Sequence, residues 1–413
     1  MEPYHVLYNL DKVGLSPSYG SVIPLNDGRL MWIWATGIGK EPYRPVYANY
    51  SVDGGRNWGN PVEMKHTNGE PLTGVFTTNL FRLPSGSLGL VLCHEMHRIA
   101  FFRSDDEGES WSPPVPLHQQ DHVYTASDKC LSLSDGRLVV PAYSMIKPKL
   151  DDANPKEAHM FGQEFSQGER CTLCYSYMLY SDDEGRSWSR SESEVFVPLE
   201  KGLKGNFSMA EPSVVELKDG RLLMFGRTNL GRIFRSLSED RGETWCMPTP
   251  TDLVLIPSPC SLKRMPGTRN LLVIWNQTSP WEAMNGFYRH RLSCAISRDE
   301  GETWENFKNL ISLDDTTRIE PGPIQVVILG ETTQPGDRAR YHRSPGPLRC
   351  NEPTCTFLDG NAIITHGYCV FGDRDRMQRN FAVEYDELMK RLGLYPHDRG
   401  NMVHVIPTEW FYE

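Results

Sequence analysis

An all-β fold of six similar four-stranded antiparallel units is what this sequence predicts, and two independent repeats carry the prediction. The first is an eight-residue box, Ser-x-Asp-x-Gly-x-x-Trp, found five times: "SVDGGRNW" from Ser51, "SDDEGESW" from Ser104, "SDDEGRSW" from Ser181, "SEDRGETW" from Ser238 and "SRDEGETW" from Ser297. The second is a series of six apolar runs broken by short glycine turns: "LNDGRLMWIW", "LPSGSLGLVL", "LSDGRLVVP", "LKDGRLLMFG", "MPGTRNLLVIW" and "LDGNAIITHGY". Each run reads as strand, tight turn, strand, which is a β-hairpin signal.

Taken in order, a unit is a hairpin, a third strand such as "YANYS", "AFFRS", "YMLYS" or "CAIS", a box, and a fourth strand. Inside the box, Asp and Gly close a tight turn, the Asp side chain bonds nearby amides, and the Trp caps the apolar layer. Asp53, Asp106, Asp183, Asp240 and Asp299 are therefore read as folding devices and not as catalytic groups. The last unit keeps its hairpin and lacks a box. Four-stranded sheets repeated radially make a β-propeller, so the expectation is one six-bladed propeller domain over residues 1–413.

Two segments stand outside the repeat. The polar insertion 147–170 is expected as a surface loop or lid. "NFAVEYDELMKRLGL", about 380–394, has helical spacing and strong helix formers and predicts a short helix near the C-terminus. Beyond it "NMVHVIPTEWFYE" reads as a terminal strand. The two chain ends should share one blade, because an open ring would leave strand edges exposed.

A net charge of -10 with a pI near 5.7 argues against a nucleic-acid partner, which needs basic surface. No stretch approaches the roughly 20 apolar residues of a membrane-spanning helix, and "MEPYHVLYNL" has no secretory pattern. A soluble cytoplasmic protein without a membrane partner is the expectation. The ten cysteines lie mostly in apolar runs. Cys171 and Cys174 form a lone C-x-x-C and read as strand residues rather than a zinc or redox pair. In "HEMH", His94 and His97 would point to opposite faces of a strand, so hydrogen bonding or packing is preferred to metal binding. No metal and no cofactor are expected.

The boxes and hairpins, spanning nearly the whole chain, resemble those of the sialidase superfamily, whose repeats are called Asp boxes and whose fold is a six-bladed propeller. The resemblance implies that chemistry gathers at one mouth of the central channel, lined by residues just before each innermost strand and just after the second. By unit these are Tyr19 and Arg44; His94, Glu95, His97 and Arg98; Asp128, Lys129 and Tyr143; Glu211, Arg227 and Arg232; Asn276, Arg289 and Arg291; and Arg343, Arg349, Glu352, His366 and Tyr368. So many charged groups at one opening indicate a polar-ligand site, since a packed core would not hold them unpaired.

The fourth unit, "EPSVVELKDGRLLMFGRTNLGRIFRSLSEDRGETW", is the most similar to the family. The resemblance gives Glu211 the role of the glutamate that activates the nucleophile and Arg227 that of a carboxylate-binding arginine. A structural ion pair between neighbouring strands is the plain alternative. The first unit departs from the pattern: it lacks the expected arginine before its hairpin, and its loop offers Glu41 where an acid/base aspartate is expected. "FRLP" at 81–84 has the look of the arginine motif but lies in the wrong unit. In the last unit, "RCNEPTCTFLDG" has Asn351 and Glu352 where the family has a tyrosine nucleophile. Sialidases are exceptions to the two-carboxylate rule of glycosidases, so a glutamate at that place suits a substrate without an anionic reacting centre.

The expected function is an exo-glycosidase acting on a terminal acidic sugar, with a small-molecule or glycan substrate. Its catalytic candidates are Glu211, Glu352, Glu41 and Asp128, and its substrate-binding candidates Arg227, Arg349, Arg44, Arg289, His94 and Glu95. The alternatives are a hydrolase of a non-sialic glycoside using Glu211 and Glu352, a non-catalytic sugar-binding propeller, and a uronate lyase drawing on His94, Tyr143 and His366. Trp281 and Phe287, in a loop over the mouth, could stack on a sugar or pack the loop.

Overall fold

Each glycine turn closes a hairpin where the sequence places it. In the turns that start at Leu25, Leu83, Leu133 and Leu217, the leucine N–H donates to the carbonyl four residues on, at Arg29, Ser87, Arg137 and Arg221. A computed structural model describes residues 4–8, 20–35, 44–95, 98–118, 123–146, 173–198, 209–255, 258–284, 289–324, 348–370, 390 and 399–413. The insertion 147–170 lies outside these residues, as does all of the 380–394 segment except Lys390. Among the described residues the helical elements are Pro280–Met284 and a 3-10 turn at Thr408–Tyr412, and Lys390 is helical as well. None of the described helices is long and apolar enough to cross a membrane.

The strands form five antiparallel sheets in a propeller-like arrangement. The first holds eight strands. Gly20–Pro24, Leu30–Ala35 and Arg44–Ser51 pair in order with Val62–Glu63 on the last of them, and Thr73–Arg82, Leu88–Glu95, Arg98–Ser104 and Val115–Pro116 follow. The second sheet is built on Leu138–Ile146, which pairs with Val123–Tyr124, Leu131–Ser132 and Leu173–Ser181, and Ser189–Arg190 adds to the last. The third runs Ala210–Glu216, Leu222–Arg227, Arg232–Ser238 and Thr249–Val254, and the fourth Ser261–Arg264, Leu271–Asn276, Leu292–Ser297 and Glu305–Ile311. The fifth joins Leu348–Leu358, Asn361–Val370 and Arg399–Pro407 to Tyr4–Tyr8.

Six separate four-stranded sheets were the expectation, and the count differs. Four sheets of blade size stand apart, while the first two sequence units share one continuous eight-stranded sheet. The cause is one short edge pairing, Arg44 with Gly74 and Pro45 with Thr73, which fuses them. The shared terminal sheet is as expected, with Tyr4 opposite Val405 and Tyr8 opposite Asn401.

The boxes repeat one hydrogen-bond pattern. The serine hydroxyl donates to the aspartate, as in Ser51 Oγ to Asp53 Oδ1 at 2.9 Å, and accepts from the glycine N–H, as in Gly55 at 2.9 Å. The aspartate then accepts the amide four residues after the serine's second neighbour, Asn57 N at 2.8 Å. The same three bonds recur from Ser104, Ser181, Ser238 and Ser297. Burial raises the pKa of these aspartates, but the hydrogen bonds outweigh it and hold all five carboxyls below their usual range. The box glycine has a left-handed backbone, φ 86 to 92°, and it also docks the box on the preceding unit. A Cβ on Gly185 would meet Phe101 at 2.3 Å, and one on Gly301 would meet Leu223 at 2.7 Å. Gly55 of the first box lies against Ile363 and Val405 of the last sheet.

The apolar core follows the same logic. It divides into six clusters: five are each drawn from two consecutive sequence units, and the sixth joins Trp32 and Trp34 of the first unit to Ile363, Val403 and Val405 of the last. The stabilising burial therefore lies between neighbouring units, and no unit holds a complete core alone. The box tryptophans differ in how far they share it: Trp111 is fully buried, whereas Trp188 is only partly so. Trp111→Ala should cost about 3–5 kcal/mol in stability, and Trp188→Ala clearly less. Denaturant titration of both variants checks the order. The nine cysteines among the described residues form no disulfide with one another; Cys174 is buried in its strand, and Cys171 lies outside.

Candidate active site

The third and fifth sheets begin with the same local device. In "AEPS" and "NEPT" a Glu-Pro pair sits six residues before the leucine that opens the hairpin turn, Leu217 or Leu358. Proline has no N–H for the ladder, and register shifts fall between Ala210 and Ser213 and between Asn351 and Thr354. Glu211 and Glu352 both take φ 49°, a left-handed conformation that is costly for a residue with a side chain. Bulges of this kind re-aim side chains beside active sites. Here they turn two carboxyl groups into one buried cluster.

The two glutamates have different surroundings. Arg227 Nη1 donates to Glu211 Oε2 at 2.5 Å, and both side chains are buried. Their strands are neighbours, with Ala210 opposite Arg227. Burial lowers the Arg227 pKa, but the charge and hydrogen bond of Glu211 raise it above the usual value. Glu352 is 9% exposed, and among the described residues its Oε2 has no hydrogen-bond partner. Burial and then the Glu211 charge push the Glu352 carboxyl up to about 7, against the pull of Lys129, Arg289 and Arg227. Tyr143 completes the cluster. Its phenol is raised well above its usual range, first by burial and then by Glu211.

Asn351 gathers two arginines beside Glu352. Arg289 Nη1 donates to its Oδ1 at 2.7 Å and Arg349 Nε at 2.9 Å. Arg289, also left-handed at φ 60°, links the fourth and fifth sheets through its carbonyl, which accepts the Cys350 N–H at 2.7 Å. Asp128 is buried and engaged: its Oδ2 accepts the Cys355 N–H at 2.8 Å and pairs with Lys263 Nζ at 3.0 Å.

Within this geometry residues 93–322 match the family described as BNR repeat-like domain. The chain belongs to that family, within the sialidase/BNR propeller superfamily. Anhydrosialidase of Macrobdella decora is 30% identical over 158 residues, 36% of this chain and 16% of that protein. The chain thus spans about a sixth of that relative's length. A Dyadobacter fermentans protein of unknown function has a similar fold, with TM-score 0.59 and 15% identity over 97% of this chain and 98% of that one. Trypanosoma rangeli sialidase in complex with sialic acid gives TM-score 0.56 and 12% identity over 98% of this chain and 59% of that one. These two likenesses are of fold.

Arg44 opens its strand half-buried, and among the described residues it makes no hydrogen bond or ion pair with the Glu211–Glu352 cluster. His94 and Glu95 end the strand Leu88–Glu95, and their side chains lie outside the described residues. Glu41, Tyr19, His97, Phe287 and Arg343 lie wholly outside them. His366 is hydrogen-bonded through Nε2 to His404 Nε2 at 2.8 Å inside the fifth sheet. Arg291 is buried between Glu282 at 2.9 Å and Asp314 at 2.7 Å. Glu282, His290 and Asp314 have the donor types of a metal site, but the Arg291 guanidinium already supplies the cation there. Trp281 is half-exposed on its short helix. Two features of this cluster were not read from the sequence: the matching registers of "AEPS" and "NEPT", which were the available signal, and the Asn351 acceptor.

Proposed function

We propose that this chain is an exo-glycosidase of the sialidase superfamily in which Glu211 and Glu352 are the working pair. One observation carries the reading. Two glutamates in matching bulges share a buried site in which their surroundings differ: Glu211 is ion-paired with Arg227, whereas Glu352 has no hydrogen-bond partner on Oε2 among the described residues and is pushed up to about 7. Such a difference in surroundings is how glycosidases assign an acid and a base to two carboxyl groups. Glu352, protonated, gives its proton to the leaving oxygen. Glu211, as carboxylate, faces the reacting carbon or activates water. Arg289 and Arg349 offer guanidinium donors to an anionic group elsewhere on a terminal sugar. The glutamate in place of a tyrosine favours a glycoside other than a sialoside.

A six-bladed ring is part of the proposal. The eight-stranded sheet is held together across only two residue pairs, Arg44–Gly74 and Pro45–Thr73, and six inter-unit cores close on themselves. Both support counting that sheet as two blades.

A second reading keeps sialidase chemistry. Tyr143 feels the charges of Glu211, Arg227 and Glu352, so Glu211 could draw its proton and make it the nucleophile. Fluorogenic sialosides, uronides and neutral glycosides assayed side by side decide between the two. Turnover of a uronide or neutral glycoside that survives Tyr143→Phe is the expected result. Sialoside turnover lost in Tyr143→Phe would favour the second reading, and no turnover of any glycoside would sink both.

A further inference from the structure

Asp128 and Lys129 reach from the second sheet to the Glu352 bulge of the fifth. Lys129 Nζ donates to the carbonyl of Pro353, the residue after Glu352, at 3.3 Å. Asp128 Oδ2 accepts the Cys355 N–H at 2.8 Å. Lys263 of the fourth sheet adds a bond from its Nζ to the Asp128 carbonyl at 3.0 Å. From the first sheet, Asn79 Oδ1 accepts the Lys129 N–H at 2.6 Å and the Cys130 N–H at 3.3 Å. Four sheets thus fix one dipeptide. A cavity of about 490 Å³ abuts it, lined by Asp128, Lys129, Ser213, Lys263 and Arg264.

Lys129 is 3% exposed, and among the described residues its side chain makes that single hydrogen bond, to a neutral acceptor. Arg227 by contrast is engaged with Glu211, and Arg289 with Asn351. A buried cation without a hydrogen-bonded carboxylate acts on whatever charge lies near it. We propose that Lys129 is a positioning residue whose buried ammonium, held on the Pro353 carbonyl, sets the charge state of Glu352 and anchors its bulge. This rests on the reading of Glu352 as the proton carrier.

The charges around the pair are consistent with that role. Glu352 faces Glu211 and Arg227 from the third sheet, Tyr143 and Lys129 from the second and Arg289 from the fourth. Lys129 faces Asp128, Lys263, Cys260 and Glu352. Burial lowers the Lys129 pKa, with Asp128 opposing, and the Lys129 charge pulls the Glu352 carboxyl down against burial and Glu211.

The test is a carbon-13 NMR titration of protein labelled at glutamate carboxyls, with the Glu352 signal assigned by its loss in Glu352→Gln. Lys129→Gln keeps a donor for the Pro353 carbonyl and removes the charge. Its Glu352 midpoint should move upward by about one pH unit or more, while Lys129→Arg leaves the midpoint within a few tenths. An unmoved midpoint in a folded Lys129→Gln protein overturns the proposal. Should Lys129→Gln fail to fold, Lys129→Arg decides: an unchanged midpoint supports it, and an upward move of a full pH unit overturns it. The titration needs no substrate. A protein that hydrolyses nothing therefore defeats the glycosidase reading and leaves the Lys129 result standing.

Discussion

Glu352→Gln is expected to lower kcat on the productive glycoside by about 10²–10⁴-fold, the usual contribution of a positioned acid or base, with KM little changed. Glutamine has nearly the same shape, so the bulge and its φ of 49° stay in place and only the transferable proton is lost. The pH profile gives a second reading of the same group. With the carboxyl pushed up to about 7 by burial and Glu211, it is protonated below that pH and deprotonated above it. An acid catalyst of this kind loses activity as pH rises through 7, so the alkaline limb of kcat/KM should fall there in the wild type and be absent from the residual activity of Glu352→Gln. A variant with undiminished kcat would remove Glu352 from the chemistry.

Arg227→Ala should destabilise the protein by about 3–5 kcal/mol, because it leaves the Glu211 carboxylate buried without its counter-charge. The pair is enclosed on both sides, with side-chain exposures of 9% and 7%, so water cannot readily take the place of the guanidinium. Adding Glu211→Gln to Arg227→Ala should recover much of the loss, since the uncompensated charge is then gone. The measurement is a denaturant-melt double-mutant cycle. A loss below about 1 kcal/mol in the single variant would mean that the pair is solvated and weak, as surface ion pairs are.

How much could be read from the sequence followed from how local each determinant is. The boxes and hairpins were legible because each closes within a few residues, such as Gly55 N–H to Ser51 Oγ. Glu211 with Arg227 was legible because one hairpin carries both, with Ala210, the residue before Glu211, opposite Arg227. The joining of the first two units was not, since pairing Arg44 with Gly74 is an edge contact without a residue signature. The partners of Arg291 were not legible for a related reason: Glu282 and Asp314 come from a short helix and a loop, whose positions no periodicity encodes. Asp128 was read as a catalytic candidate, and the structure shows its carboxylate already engaged by Lys263 and Cys355. The tight turn inside each box was legible, but its docking on the preceding unit was not, because that depends on which side chains neighbouring sheets present.

The ladder that pairs Tyr4 with Val405 has a consequence for biogenesis. The strand Tyr4–Tyr8 is made long before its mate Arg399–Pro407, and the two can pair only once that distant strand has followed. Contacts of such separation form slowly, because loop closure has to precede any gain from pairing. In that interval the nascent protein carries an unmatched strand edge, the kind of surface on which chains stick to one another. Refolding yield should therefore depend on protein concentration far more than the stability of the finished fold would suggest.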